Sequence, residues 1–265
     1  VLIEGLLRRA GEAVEYARGS SGQRVAPGNA YAAAGPYMYG GHPATDGGVT
    51  YLVECGYSDG GPHIAGIAFR VDHHWPGDPG YGLPPAQFWQ ASSLGQVHRI
   101  LHDLGIPVGE PNAEMLYAAA ADHCLAAAYR GACPGIEPDA LMRWRVQIRA
   151  EHQRRDVESL ERDVEYARAS LRAAPKLCVA GVAVADLRGQ SVPELPEAAA
   201  RDGIPFLASV SDRDGRQKIV LQSAPPEVIS EFMGGNVVRG LVDCYGDPAR
   251  GFAGGYLGNP DETSN

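Results

Sequence analysis

The sequence predicts an α/β protein: a parallel-sheet N-terminal domain, a long helix, and a smaller α+β domain at the C-terminal end. Three observations carry this. Two continuous apolar runs, VTYLVECG (49–56) and HIAGIAFRVDHH (63–74), follow one another closely and each runs into an acid, the pattern of neighbouring parallel strands buried on both faces. From 138 to 175 apolar residues step by three and four among dense charge, the pattern of an amphipathic helix. After Pro175 short apolar runs alternate with turn residues, the pattern of a small mixed domain. The expected boundaries are 1–137, 138–175 and 176–265.

The elements follow in order. Residues 2–17 have helical spacing at Leu2, Leu6, Leu7, Ala10, Val14 and Ala17. Residues 18–48 are rich in Gly, Ala, Tyr and Pro and read as loop. After the two strands, ASSLGQVHRILHDLG (91–105) is an amphipathic helix with Ser92 or Ser93 as its cap and Gly105 at its stop. NAEMLYAAAADHCLAAAYRG (112–131) is an Ala-rich helix that carries Asp122 and His123 inside it. The stretch 138–175 spans about 55 Å if it is one unbroken helix. It admits two readings, a solvated connecting helix and a coiled coil that makes a homodimer. KLCVAGVAVADL (176–187) is a strand, FLASVS and RQKIVLQS (206–223) form a hairpin about an Asp-Gly turn, and PPEVISEFM (225–233) is a short helix. A glycine-rich tail closes the chain.

Composition limits the function. With 265 residues, 45% of them hydrophobic, the chain can build two cores. A net charge of −9 offers no basic face, so long duplex nucleic acid is not an expected partner. A small anionic substrate stays open, because a bound metal supplies local positive charge. No run of about 18 apolar residues and no signal-like opening occur, so no membrane contact is expected. Five scattered cysteines, without a CxxC pair, read as free thiols of a reducing, cytoplasmic compartment.

Acids and histidines gather at element ends. Glu54 and Asp72 close the two strands, and His73 and His74 follow at once. Asp122 and His123 interrupt an alanine surface, where an uncompensated charge is expensive. His42 and Asp46 sit in a Gly-flanked loop, HPATDG, just before the first strand. Ligands bind beyond the carboxyl ends of parallel strands. Mixed carboxylate and imidazole donors suit manganese, iron or zinc. Such an ion polarises a phosphoryl oxygen and activates water.

VDHH after an apolar strand, an acid ending the preceding strand, and an Asp within a later Ala-rich helix together resemble the DHH phosphoesterase superfamily. The C-terminal region resembles the DHH-associated domain, and the likeness covers about residues 42–260. The first motif is degenerate: His42 and Asp46 are present, but Gly48 stands where the last acid is usual, and Asp46 lies close to Glu54. The second acid is Glu54 rather than Asp, and Gly254-Gly255-Tyr256 stands where relatives have glycines followed by His.

The resemblance implies a metal-dependent hydrolase of a small phosphorylated or nucleotide-like substrate, bound in a cleft between two domains. It implies Mn2+ as the cofactor, with Fe2+ or Zn2+ as alternatives. Its metal ligands are Glu54, Asp72, His73 and Asp122, with His42 and Asp46. Asp72, His73 and His74 carry the chemistry, and His123, Arg239, Arg250, Gly254 and Gly255 meet the substrate. Two other readings remain: a degenerate DHH-fold protein that only binds a ligand, and a biosynthetic enzyme on the same scaffold.

Overall fold

The computed structural model describes residues 2–25, 27–33, 49–56, 67–212, 215–248 and 250–258. It divides the chain into two compact units, 1–138 and 139–265. Among the described residues no helix is long and apolar enough to cross a membrane.

In the first unit, β1 (Val49–Val53) and β2 (Ile67–Val71) pair in parallel, with Val49 opposite Ile67 and Val53 opposite Val71. The pairing is as expected, but burial on both faces is not. Val49, Tyr51 and Phe69 are exposed, and the rings of Tyr51 and Phe69 stack across the pair. Helix α1 (Leu2–Arg9) is shorter than its periodicity suggests. Gly11 takes a left-handed φ of 82°, and the Gly11 and Glu12 N–H groups turn back onto the Arg8 and Leu7 carbonyls. That is a Schellman stop, and it overrides the apolar spacing beyond it.

A short helix α2 (Phe88–Ala91) leads into α3 (Ser93–Asp103), whose first turn is capped by the Ser92 hydroxyl accepting from the Gly95 N–H at 3.1 Å. A Cβ on Gly95 would sit 1.7 Å from the Trp89 carbonyl oxygen, so only glycine lets α2 and α3 meet. Helix α4 (Ala113–Tyr129) is capped by Asn112. Leu6, Val71, Leu94, Val97 and Leu101 form the core that seats these helices on β2.

The second unit begins where one long helix is expected, and there are two. Helix α5 (Pro138–Gln153) ends before Arg154, which has a φ of 54°. Helix α6 (Val157–Ala173) starts afresh, with the Asp156 carboxylate capping the Ser159 N–H at 2.8 Å. Neither is a solvated connector. Leu160, Val164, Ala167 and Leu171 of α6 are buried, and Val146 and Ala150 of α5 pack against Leu160. The apolar stripe of α6 is therefore used within the unit.

A six-stranded mixed sheet follows, in the order β3-β4-β5-β6-β8-β7. The single strand expected at 176–187 is a hairpin of β3 (Lys176–Val179) and β4 (Val182–Leu187). Ala180 and Gly181 both have positive φ there, the geometry of a two-residue primed turn. Helix α7 (Leu195–Asp202) carries the chain to β5 (Phe206–Ser211), which runs parallel to β4. The expected hairpin is present as β5 and β6 (Gln217–Gln222). The expected short helix is α8 (Pro226–Met233), and the glycine-rich tail forms β7 (Leu241–Asp247) and β8 (Phe252–Leu257). Phe206, Leu187 and α7 form one core, and Leu207, Leu221 and α8 another.

Candidate metal centre

The register of β1 and β2 brings their carboxyl ends level, so Glu54 and Asp72 emerge side by side. The Glu54 N–H extends the ladder by one bond to the Val71 carbonyl, at 3.1 Å. Its own φ is 51°, left-handed for a residue that has a Cβ. Such backbone strain is held by its surroundings and gathers at functional sites.

Asp72 is fully buried. Its Oδ1 accepts the backbone N–H of His73 at 2.7 Å and of His74 at 3.2 Å, and meets His74 Nδ1 at 2.7 Å. Its Oδ2 accepts the Tyr31 hydroxyl at 2.8 Å and lies 3.7 Å from the Arg70 guanidinium. Burial alone would raise its pKa. The bonds from His74, Tyr31 and the His73 N–H outweigh that and hold the carboxyl at about 2. Burial and the bond to Asp72 push the Tyr31 phenol up. The carbonyl of Asp72 accepts from Gln96 at 2.9 Å and from the Gly80 N–H at 3.0 Å. Asp72 thus braces the turn that aims the two histidines.

The turn continues through Asp78, also buried. Its Oδ2 accepts the Trp75 N–H at 2.8 Å, and its Oδ1 lies 3.0 Å from Arg70. Tyr31, Arg70 and Asp78 were not singled out by the sequence. The Trp75–Asp78 spacing is a turn signal that could have found Asp78, whereas Tyr31 reaches Asp72 across 41 residues of chain.

His73 enters a different cluster. One ligand atom each from Glu54, His73 and Asp122 lie within 4.8 Å of one another. His73 Nε2 is 3.1 Å from Asp122 Oδ2 and 4.0 Å from Glu54 Oε1. The His73 side chain is 5% exposed, and its Nε2 forms no hydrogen bond, because the Asp122 contact is close but not aligned. Burial and the charge of Asp122 raise the pKa of Glu54. Asp122 and His123 come from α4, just before the chain leaves helical geometry at Cys124, with φ −154° and ψ 50°. His123 Nδ1 lies 3.3 Å from His73 Nδ1, and its Nε2 lies 2.9 Å from the Leu83 carbonyl oxygen. Desolvation lowers the pKa of His123.

An orphaned buried nitrogen facing two carboxylates is a poor arrangement alone and a good one around a cation. Two carboxylates and one imidazole fit manganese, iron or zinc. Three protein ligands leave coordination positions open to substrate.

The other expected residues fall elsewhere. Asp72 is not in the triad, because both of its oxygens are engaged by the turn and by Tyr31. His74 is held by Asp72 rather than set among the three ligands. His42 and Asp46 lie outside the described residues. Arg239, Arg250, Gly254 and Gly255 belong to the second unit. Arg239 and Arg250 are exposed there. Gly254 and Gly255 are inside β8 rather than in a loop, where a Cβ would come within 2.5 Å of the Tyr245 hydroxyl and 2.9 Å of Cys244 Sγ. Strand packing accounts for both glycines. A groove of about 950 Å³ runs beside β2 and α3, lined by Tyr51, Phe69 and Arg99 among others, but by none of the triad. The groove lies apart from the triad.

No protein-family model matches the chain, and no curated protein matches it.

Proposed function

We propose that the chain is a metal-dependent hydrolase of the DHH phosphoesterase type, acting on a small phosphorylated or nucleotide-like substrate. One observation carries the reading. Glu54, His73 and Asp122 come from three separate segments, and each is a position that the resemblance to that superfamily marks as a ligand. They converge within 4.8 Å. Chance placement of a strand-end acid, the first histidine of the triplet and an acid in an Ala-rich helix does not ask for convergence.

The residues divide the work. His73 contributes the neutral donor, and Glu54 and Asp122 contribute two negative charges that a divalent ion balances. A bound divalent ion supplies a Lewis acid for a phosphoryl oxygen and lowers the pKa of water. Asp72, through its bonds to the His73 and His74 N–H groups, holds the turn that carries the donor. Tyr31 and Arg70 hold Asp72. Mn2+ is the ion favoured, with Fe2+ and Zn2+ as alternatives.

The test is metal content and turnover together. The metal-free chain is loaded with Mn2+, dialysed, and measured for bound metal and for hydrolysis of bis-p-nitrophenyl phosphate. Stoichiometric metal with turnover, both lost in Asp122→Asn, is the expected result. Metal uptake without turnover of this or of short nucleotide diesters points to the binding-only reading. Wild-type protein that holds no metal refutes the proposal.

A further inference from the structure

We infer that His123 is a positioning residue which sets the tautomer of His73, leaving the His73 Nε2 lone pair toward Glu54 and Asp122; its effect on ion binding rests on the metal reading above. The argument starts at the Leu83 carbonyl, which can only accept. His123 Nε2, 2.9 Å away, therefore carries a proton. A neutral imidazole has one N–H, so His123 Nδ1 is bare. The contact between His123 Nδ1 and His73 Nδ1, at 3.3 Å, needs one proton, and only His73 can provide it. His73 then has its proton on Nδ1 and a lone pair on Nε2.

His73 Nε2 lies 3.1 Å from Asp122 Oδ2 without a hydrogen bond. In this tautomer a lone pair faces the carboxylate, an arrangement that a cation between them would relieve. The opposite tautomer places bare nitrogen against carbonyl oxygen at Leu83, which is repulsive. Consecutive residues at the end of the regular part of α4 flank both ring nitrogens of His73, with Asp122 beside Nε2 and His123 in contact with Nδ1.

The relay also gives a task to the segment after the histidines. Asp78 ties that segment to the Trp75 N–H and to Arg70, and the segment delivers the Leu83 carbonyl to His123. The protonation pattern of a ligand is thus set from a loop ten residues further on. Metal-bound histidines commonly donate their second N–H to an outer partner, which fixes the tautomer and strengthens the donor. Here that partner is a second imidazole, itself fixed by a backbone carbonyl.

The test uses the full chain, uniformly 15N-labelled and metal-free, at a pH where both imidazoles are neutral. Two-bond 1H–15N correlation spectra read the tautomer of His73, assigned by comparison with His73→Gln. The expected result is the Nδ1–H form in the wild type and in His123→Asn, whose side-chain oxygen keeps an acceptor near the Nδ1 position. In His123→Phe, which keeps a ring without an acceptor, the Nε2–H form grows. Calorimetric titration with Mn2+ gives similar affinity for wild type and His123→Asn, and a loss of about 10–100-fold for His123→Phe. A wild-type His73 in the Nε2–H form overturns the inference, and that measurement needs no variant. An unchanged tautomer or unchanged Mn2+ affinity in a folded His123→Phe also overturns it. If the wild type shows the expected tautomer but binds no Mn2+, the relay stands and the metal reading alone falls.

Discussion

Replacing Asp72 with Asn separates a brace from a ligand. The side chain is fully buried, and its carboxyl is held at about 2 against an ordinary 3.8. A folded-state pKa below the unfolded value means that the ionised form is favoured by folding. The stabilisation is complete above about pH 4 and is lost as the pH falls through 2. It amounts to about 2 kcal/mol at neutral pH, each pKa step being worth about 1.4 kcal/mol. Asn keeps the size and one acceptor, but turns an N–H2 toward either Tyr31 or the His73–His74 turn. Urea unfolding at pH 7 should therefore show Asp72→Asn less stable by about 2 kcal/mol, equivalent to a melting shift of about 4–8 °C in a chain of this length. Repeated at pH 3 and below, the gap should close. Mn2+ stoichiometry should persist with weaker affinity, because the ligands remain and only their support is loosened. A variant of unaltered stability that takes up no metal would refute this reasoning and return Asp72 to the ligand set.

Three further outcomes are expected. Glu197, 2% exposed, is held by Arg145 at 2.6 and 2.7 Å and by Arg149 at 2.8 Å, so Glu197→Gln should lose about 3 kcal/mol in urea unfolding; a loss below about 1 kcal/mol would show that α5 and α7 are held by packing alone. Burial first, and then Asp122, raise the Glu54 pKa, so the metal-free fold favours the protonated carboxyl and loses that advantage as the pH rises through its pKa. The melting shift on adding Mn2+ should therefore be larger at pH 7.5 than at pH 5, and an equal shift counts against Glu54 as a ligand. Cys124 and Cys133 have their sulfurs 3.2 Å apart, so diamide should join them within one chain; peptide mapping without the linked pair contradicts the close approach at the kink in α4.

Much of the first unit is legible in the sequence because its signals are local. An apolar run ending in an acid places Glu54 at a strand end, and Ser92 and Asn112 are strong caps where α3 and α4 begin. Convergence is different. That Asp72 braces the turn while His73 faces Glu54 and Asp122 depends on Tyr31 and Gln96, which arrive from distant segments. No spacing rule connects them. Backbone handedness is equally hidden. Ala180 and Arg154 carry no turn signal, yet their positive φ splits one expected strand and one expected helix. At Gly11 the residue is a stop signal in plain view, but the apolar spacing beyond it is stronger to the eye than it is in the fold.

The left-handed backbone at Glu54 bears on how this position changes over time. A residue with a Cβ is disfavoured there by about 1–2 kcal/mol, and Gly or Asn is disfavoured less. Selection for folding alone would let this site drift toward those residues. A Glu54→Gly exchange would relieve that strain while removing the carboxylate, so at this one position the stability of the fold and the proposed ion pull in opposite directions.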